Sequence, residues 1–273
     1  MPLALVGKSQ NLRRKSRIGQ GIVVLIGAQL LFLAGFLGVN LPTATEGNLI
    51  RYVRQASENL VAKLPGQVGT EIKHNVPALA HTSEPIRMSI YVPQAPLAIF
   101  VGYVLGPVLA PLASIIFLVI GFVGPQLGIF AFSSGGGLEY FKQPGFGYLI
   151  GMVIASWVAG RLTVQNRTSK RQCLAVALGL LSVHLFGIGY LLIAALINSF
   201  GVQAGEVQNA HFYWQPWIFE EVRNLTWYVL PYDILLSVVA IGLGFPFRWL
   251  VATLIAPDIA SKQKAGEKFK DLL

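Results

Sequence analysis

The sequence has 273 residues, of which 54% are hydrophobic and only 12% are charged. A soluble domain usually carries about 25% charged residues, so this composition nearly excludes a soluble enzyme and predicts a membrane protein. The net charge of +9 would also suit a nucleic-acid-binding protein, but the basic residues lie beside the apolar runs, which favours a lipid bilayer and no nucleic acid as the partner.

Six apolar runs predict transmembrane helices. A bilayer core of about 30 Å requires roughly 20 residues at 1.5 Å of rise each. The runs are continuous and do not alternate with a period of two, which excludes a transmembrane β-barrel. We therefore predict an all-α fold, a polytopic six-helix bundle that forms a single membrane domain. The predicted spans are 18–39, 91–106, 108–131, 145–160, 172–198 and 228–256, with a tight turn at Gly106-Pro107 between the second and third.

Two polar segments separate the spans on one side. The first, 41–90, contains apolar residues spaced by three, four or seven positions, which predicts an amphipathic helix that lies on the membrane surface or covers a cavity. These residues are Leu49, Val53, Leu60 and Leu64. The second half of 41–90 is rich in proline and glycine and reads as a loop. The other insertion, 199–227, carries an aromatic run at 211–217 that is typical of the membrane interface.

The basic residues predict the orientation. The tail 1–17, the segment 161–171 and the stretch from Arg248 through the tail 257–273 together hold 14 basic and 3 acidic residues. The segments on the other side hold 7 basic and 8 acidic residues. Because cytoplasmic segments carry the excess of lysine and arginine, both termini are predicted to be cytoplasmic, in a plasma or inner membrane.

Small residues recur at four-residue spacing within two of the spans. Such stripes allow close backbone contact between helices, and we interpret them as internal packing faces, with docking of another membrane protein as the alternative. The stripes are Ala98, Gly102 and Gly106 in the second span, and Gly147, Gly151, Ala155 and Ala159 in the fourth.

The sequence offers little support for catalysis. It has no P-loop, HExxH or GxSxG motif and no Cys/His cluster with metal-ligand spacing, so we predict no enzyme, no metal and no cofactor. The single cysteine, Cys173, excludes an internal disulfide. His184 is the one histidine within a span, and we interpret it as a hydrogen-bonded packing residue.

Three polar features share the predicted outer end of the bundle. They are Gln94 at the start of span 2, a glycine-rich turn at 135–137 followed by Tyr140, and Asp233 near the start of span 6. A carboxylate within a span is costly and by default indicates function. Together these residues predict a small-molecule pocket. The alternative for Asp233 is a helix cap at the level of the lipid headgroups.

Several segments resemble a known family. The stretches beginning Gln94-Ala-Pro-Leu, Gly136-Gly137-Leu-Glu-Tyr140 and Pro144-Gly-Phe-Gly-Tyr-Leu-Ile-Gly151 are similar to the biotin-specific S component, the BioY family, of energy-coupling factor (ECF) transporters. Leu230-Pro-Tyr-Asp233 is a weaker match to the family's Pro-Gly-Asp sequence. The resemblance implies that Asp233 accepts hydrogen bonds from the ureido group of biotin. It also implies that Gln94, Gly136, Gly137 and Tyr140 line the pocket, and that a membrane-embedded T component and two ATPase subunits are partners.

Two positions depart from the family pattern. The family often has a lysine one turn after the aspartate, where this chain has Leu236, and an arginine in the glycine turn, near Gly135. Either a basic residue of the 41–90 insertion, such as Arg87 or Lys73, replaces them, or the ligand is not biotin.

Two functional hypotheses follow. The first is a substrate-binding membrane subunit for uptake of biotin or a related small molecule. The second is a structural or assembly membrane protein that retained the bundle and lost the vitamin site. An intramembrane enzyme would require a second polar group within reach of Asp233, and the sequence indicates none.

Overall fold

The computed structural model describes residues 17–64, 71–72, 85–132, 135–203 and 216–255. Both predicted cytoplasmic tails, apart from Arg17, lie outside the described residues, as do Lys73 and most of the aromatic run at 211–217.

Long helices follow the predicted apolar runs. By length and composition, five helical stretches of the described residues could cross a membrane, with 94–127 counted as one stretch. The all-α fold class is therefore confirmed, and the count of six spans stays a prediction. The long helices are α1 Arg17–Ala34, α3 Gln94–Val123, α4 Phe146–Thr163, α5 Ser169–Gln203 and α7 Leu230–Ile255.

Helix α3 has a break at Gly106. This residue has φ +82°, which breaks the helix between 94–105 and 107–123. Gly102 contacts the backbone of Ser156, and Ser114 Oγ lies 3.3 Å from Ser156 Oγ. In one straight helix, residues 102 and 114 would be about 18 Å apart and would not meet the same side chain. The chain therefore folds back at Gly106, where the sequence predicts a tight turn.

The small-residue stripes lie inside the bundle. A Cβ atom on Gly151 would lie 2.7 Å from Val183 Cα of helix α5. Gly102 packs equally closely against α4, and Ala155 and Ala159 are fully buried. These contacts confirm the interpretation as internal packing faces, since any larger side chain would separate the helices.

The polar segment after α1 contains a helix and two strands. Helix α2, Glu46–Ala62, confirms the predicted amphipathic helix. Strands β1, Val39–Pro42, and β2, Met88–Tyr91, pair antiparallel, with Val39 opposite Tyr91. This pair was not predicted from the sequence. The Asn48 amide fixes the chain entering β2, because its nitrogen donates to the Arg87 carbonyl at 2.8 Å and its oxygen accepts from the Arg87 N–H at 2.9 Å.

The segment before α7 is helical as well. Residues Pro216–Val222 form helix α6, and Arg223–Trp227 form a π-helical turn that leads into α7. The end of the predicted insertion 199–227 is therefore helix, and this turn carries Asn224 and Thr226 to the end of the bundle where Asp233 lies.

Candidate ligand site

A cavity of about 520 Å³ lies at the Asp233 end of the bundle. Its walls come from β2, the first turn of α3, the 140–145 segment, the facing parts of α4 and α5, and the residues between Glu221 and Asp233. The size falls within the usual range of small-molecule sites, and the wall combines apolar side chains with a few polar groups. The cavity is therefore the candidate site.

Asp233 contributes a buried carboxylate to this cavity. The residue is 4% exposed, and its Oδ1 accepts a hydrogen bond from the Tyr91 hydroxyl at 2.5 Å. Its Oδ2 lies 3.5 Å from His184 Nε2. The described partners of the carboxylate are thus side chains that line the cavity, and no described bond caps α7. This geometry favours the pocket interpretation of Asp233 over the helix cap.

Tyr91 is suited to donate to this carboxylate. Burial first, and then the charge of the neighbouring Asp233, raise the pKa of the Tyr91 phenol. The phenol therefore keeps its proton and remains a hydrogen-bond donor. Because Tyr91 is the last residue of β2, its position depends on the pairing of β2 with β1.

A chain of polar contacts continues from Asp233 to helix α4. His184 Nδ1 lies 3.2 Å from Thr226 Oγ1, and the Tyr148 hydroxyl lies 2.8 Å from the same Thr226 oxygen. The chain Tyr91, Asp233, His184, Thr226 and Tyr148 joins β2, α7, α5, the π-helical turn and α4. These contacts fix the side chains on one side of the cavity.

Gln94, a predicted site residue, lines the cavity at the start of α3. Its side-chain Nε2 is buried and has no hydrogen-bond partner among the described residues. A buried donor normally has a partner, so this amide is available to a bound molecule or to water.

Tyr140 also lines the cavity, whereas Gly136 and Gly137 are not among the lining residues. The two glycines contact the second half of α3 instead. The Gly137 N–H donates to the Gly121 carbonyl at 2.9 Å, and a Cβ on Gly136 would lie 2.6 Å from the same oxygen. The Gly137 carbonyl accepts from the Tyr140 N–H at 3.1 Å, so the turn positions Tyr140.

Five further lining or adjacent residues were not predicted to belong to the site: Tyr91, Tyr148, His184, Glu221 and Asn224. His184 is hydrogen-bonded, as predicted, but it lines the cavity and approaches Asp233. As an ionisable side chain within a span, it carries the same signal that identified Asp233. Glu221 and Asn224 carry no such signal, because they follow a segment without span-like character.

Of the two basic residues proposed from the 41–90 insertion, the structure describes Arg87 alone. The Arg87 side chain is exposed and is not among the lining residues. Lys73 lies outside the described residues. Among the described lining residues there is no lysine or arginine, while the carboxylates of Asp233 and Glu221 are both present.

The sequence comparisons decide the family. A model of the BioY family matches residues 78–253, which is more than half of the chain. The chain belongs to the BioY family. The resemblance predicted from the sequence is therefore confirmed. The family and the long apolar helices together make the chain a multi-pass membrane protein.

Two relatives of known description are similar to parts of the chain. A probable biotin transporter BioY from Lysinibacillus sphaericus is 34% identical over 84 residues, which are 30% of this chain and 41% of that protein. The alignment thus spans about two fifths of the relative's length. The crystal structure of an S-component for biotin from an ECF-type ABC transporter aligns over 74% of this chain and 90% of that chain, with 16% identity and a TM-score of 0.36.

Proposed function

We propose that this BioY-family chain is the substrate-binding membrane subunit of an uptake system for biotin or a related small molecule. The observation that carries the proposal is the buried Asp233 carboxylate, which faces a cavity of about 520 Å³ in a member of this family. A buried carboxylate in a small-molecule pocket is suited to a ligand that presents N–H donors, as the ureido ring of biotin does.

Each lining residue has its own role in the proposed binding. Asp233 accepts the ureido N–H groups, while Tyr91 and His184 hold the carboxylate in place. Gln94 offers its unpaired amide to the ligand, and Tyr140 supplies an aromatic wall. Gly136 and Gly137 act on the site through Tyr140, which their turn positions.

Energy for uptake comes from other subunits in this proposal. The family resemblance implies a membrane-embedded T component and two cytosolic ATPase subunits, which would supply this energy; the lack of a nucleotide-binding motif in the chain agrees with this. The chain would lie in the plasma or inner membrane with both termini in the cytoplasm, which puts the Asp233 cavity at the outer surface.

Equilibrium binding of radiolabelled biotin to the purified full-length chain in detergent tests the proposal. We expect saturable binding of one labelled biotin per chain. Unlabelled biotin should displace it, and an unrelated vitamin such as thiamine should not. Absence of saturable binding by both biotin and its amide would contradict the proposed function and favour the assembly-protein hypothesis.

A further inference from the structure

The charges of the side chains that line the cavity further restrict the chemical class of the ligand. We infer that the site prefers a ureido ligand whose tail ends in an uncharged N–H donor, such as a carboxamide, over the same ligand with a free carboxylate. This inference rests on the proposed function and names the chemical class of its substrate.

The charged side chains that line the cavity are all acidic among the described residues. Asp233 and Glu221 both line the cavity, and the described part of its wall holds no lysine or arginine. A sphere of about 520 Å³ is about 10 Å across, close to the Debye length of about 8 Å at physiological ionic strength. Wherever the tail lies in this volume, a ligand carboxylate is close to two like charges, which disfavours binding.

Arg223, a described cation beside the cavity wall, is already engaged by another carboxylate. Arg223 lies on the π-helical turn, next to the wall residue Tyr228, with its guanidinium 5.7 Å from that ring. However, its Nη2 lies 3.6 Å from Glu220 Oε1, and its side chain is 54% exposed. Arg223 therefore compensates Glu220 at the surface and contributes no lining group.

Several other polar side chains in the wall are uncharged. Gln94, Gln143, Asn224 and Tyr148 are neutral groups that can donate or accept hydrogen bonds. A carboxamide presents both an N–H₂ donor and a carbonyl acceptor, so it can bond to Glu221 and to these neutral groups. A carboxylate offers acceptors only, and neither Glu221 nor Asp233 can donate to it when ionised.

Biotin and biotin carboxamide form a matched pair for the test, because they differ only at the tail terminus. Isothermal titration of the full-length chain should give a dissociation constant at least about ten-fold lower for the amide. Glu221→Gln should reduce this preference by strengthening biotin binding. Glu71→Gln, which changes an exposed carboxylate outside the wall, should leave the preference unchanged.

The outcomes separate this inference from the proposed function. Equal or tighter binding of biotin than of the amide would overturn the inference and leave the function intact. Selective loss of biotin binding in Lys73→Gln, Arg87→Gln or Arg223→Gln would also overturn it, because a cation would then complete the site. Failure of both compounds to bind would overturn the function and the inference together.

Discussion

Asp233 is the residue on which the proposed ligand site depends. A carboxylate costs about 2.5–3.5 kcal/mol near the middle of a membrane span on insertion scales and less near its ends, and Asp233 lies in the first turn of α7. Here the Tyr91 hydroxyl and His184 lie against its two oxygens, and the carboxylate still borders the cavity. The neighbours offset part of the cost, and the open side leaves the charge available to a ligand.

Tyr91→Phe removes the hydroxyl that donates to Asp233 and keeps the aromatic ring. Because hydrogen bonds to charged groups contribute about 1.5–3 kcal/mol, we expect the free energy of unfolding to fall by roughly that amount. Thermal denaturation in detergent measures the change, with Tyr52→Phe on the exposed face of α2 as the control. Equal stability of Tyr91→Phe and the wild type would show that this bond does not hold the carboxylate.

At the scale of elements, close helix packing fixes the walls of the cavity. Gly151 brings α4 against α5, and the cavity wall includes residues of both helices. Overpacking of a tight contact costs about 1–3 kcal/mol. We therefore expect Gly151→Leu to lower the thermal midpoint and to weaken ligand binding.

The matched control for this change is Gly21→Leu on α1. No atom lies within 4 Å of a Cβ added at Gly21, so the larger side chain meets no neighbour. The thermal midpoint of both variants, measured in the same detergent, checks the prediction. A midpoint for Gly151→Leu equal to that of Gly21→Leu would contradict the packing described for α4 and α5.

The helices were predictable from the sequence because length and continuous apolar character alone define a membrane span. The pairing of β1 with β2 was not predictable, because Val39 and Tyr91 are far apart in the chain and four-residue strands carry no periodic signal. Without that pair, the position of Tyr91 beside Asp233 could not be inferred. The turn at 135–137 was predictable from its glycines. Its contact with α3 was not predictable, because it depends on tertiary packing.

The positions of Asp233 and Gln94 in the candidate site were predictable because polar groups are rare in apolar spans. His184 carries the same signal, but a single histidine does not reveal which neighbour it meets. Glu221 and Asn224 enter the site through α6 and its π-helical turn, a local geometry with no sequence signature.

At the scale of the whole molecule, the orientation of the bundle decides what the cavity can capture. We expect Gln55→Cys on α2 to react with a membrane-impermeant thiol reagent applied to intact cells, and Ser169→Cys at the start of α5 to remain unlabelled. Both changes are made in a Cys173→Ser background, because Cys173 is exposed. The reverse labelling pattern would place the cavity on the cytoplasmic side and contradict uptake from outside.

The proposed site requires that Asp233 binds the ligand directly, and a single substitution tests this claim. Asp233→Asn keeps the shape of the side chain but removes the charge and replaces one acceptor with a donor. Losing a charge-assisted hydrogen bond should weaken binding of biotin or its amide by about ten- to 150-fold in isothermal titration. Glu139→Gln, an exposed carboxylate paired with Lys142, makes the same chemical change away from the cavity and should leave affinity unchanged. Equal affinity of Asp233→Asn and the wild type would contradict the claim.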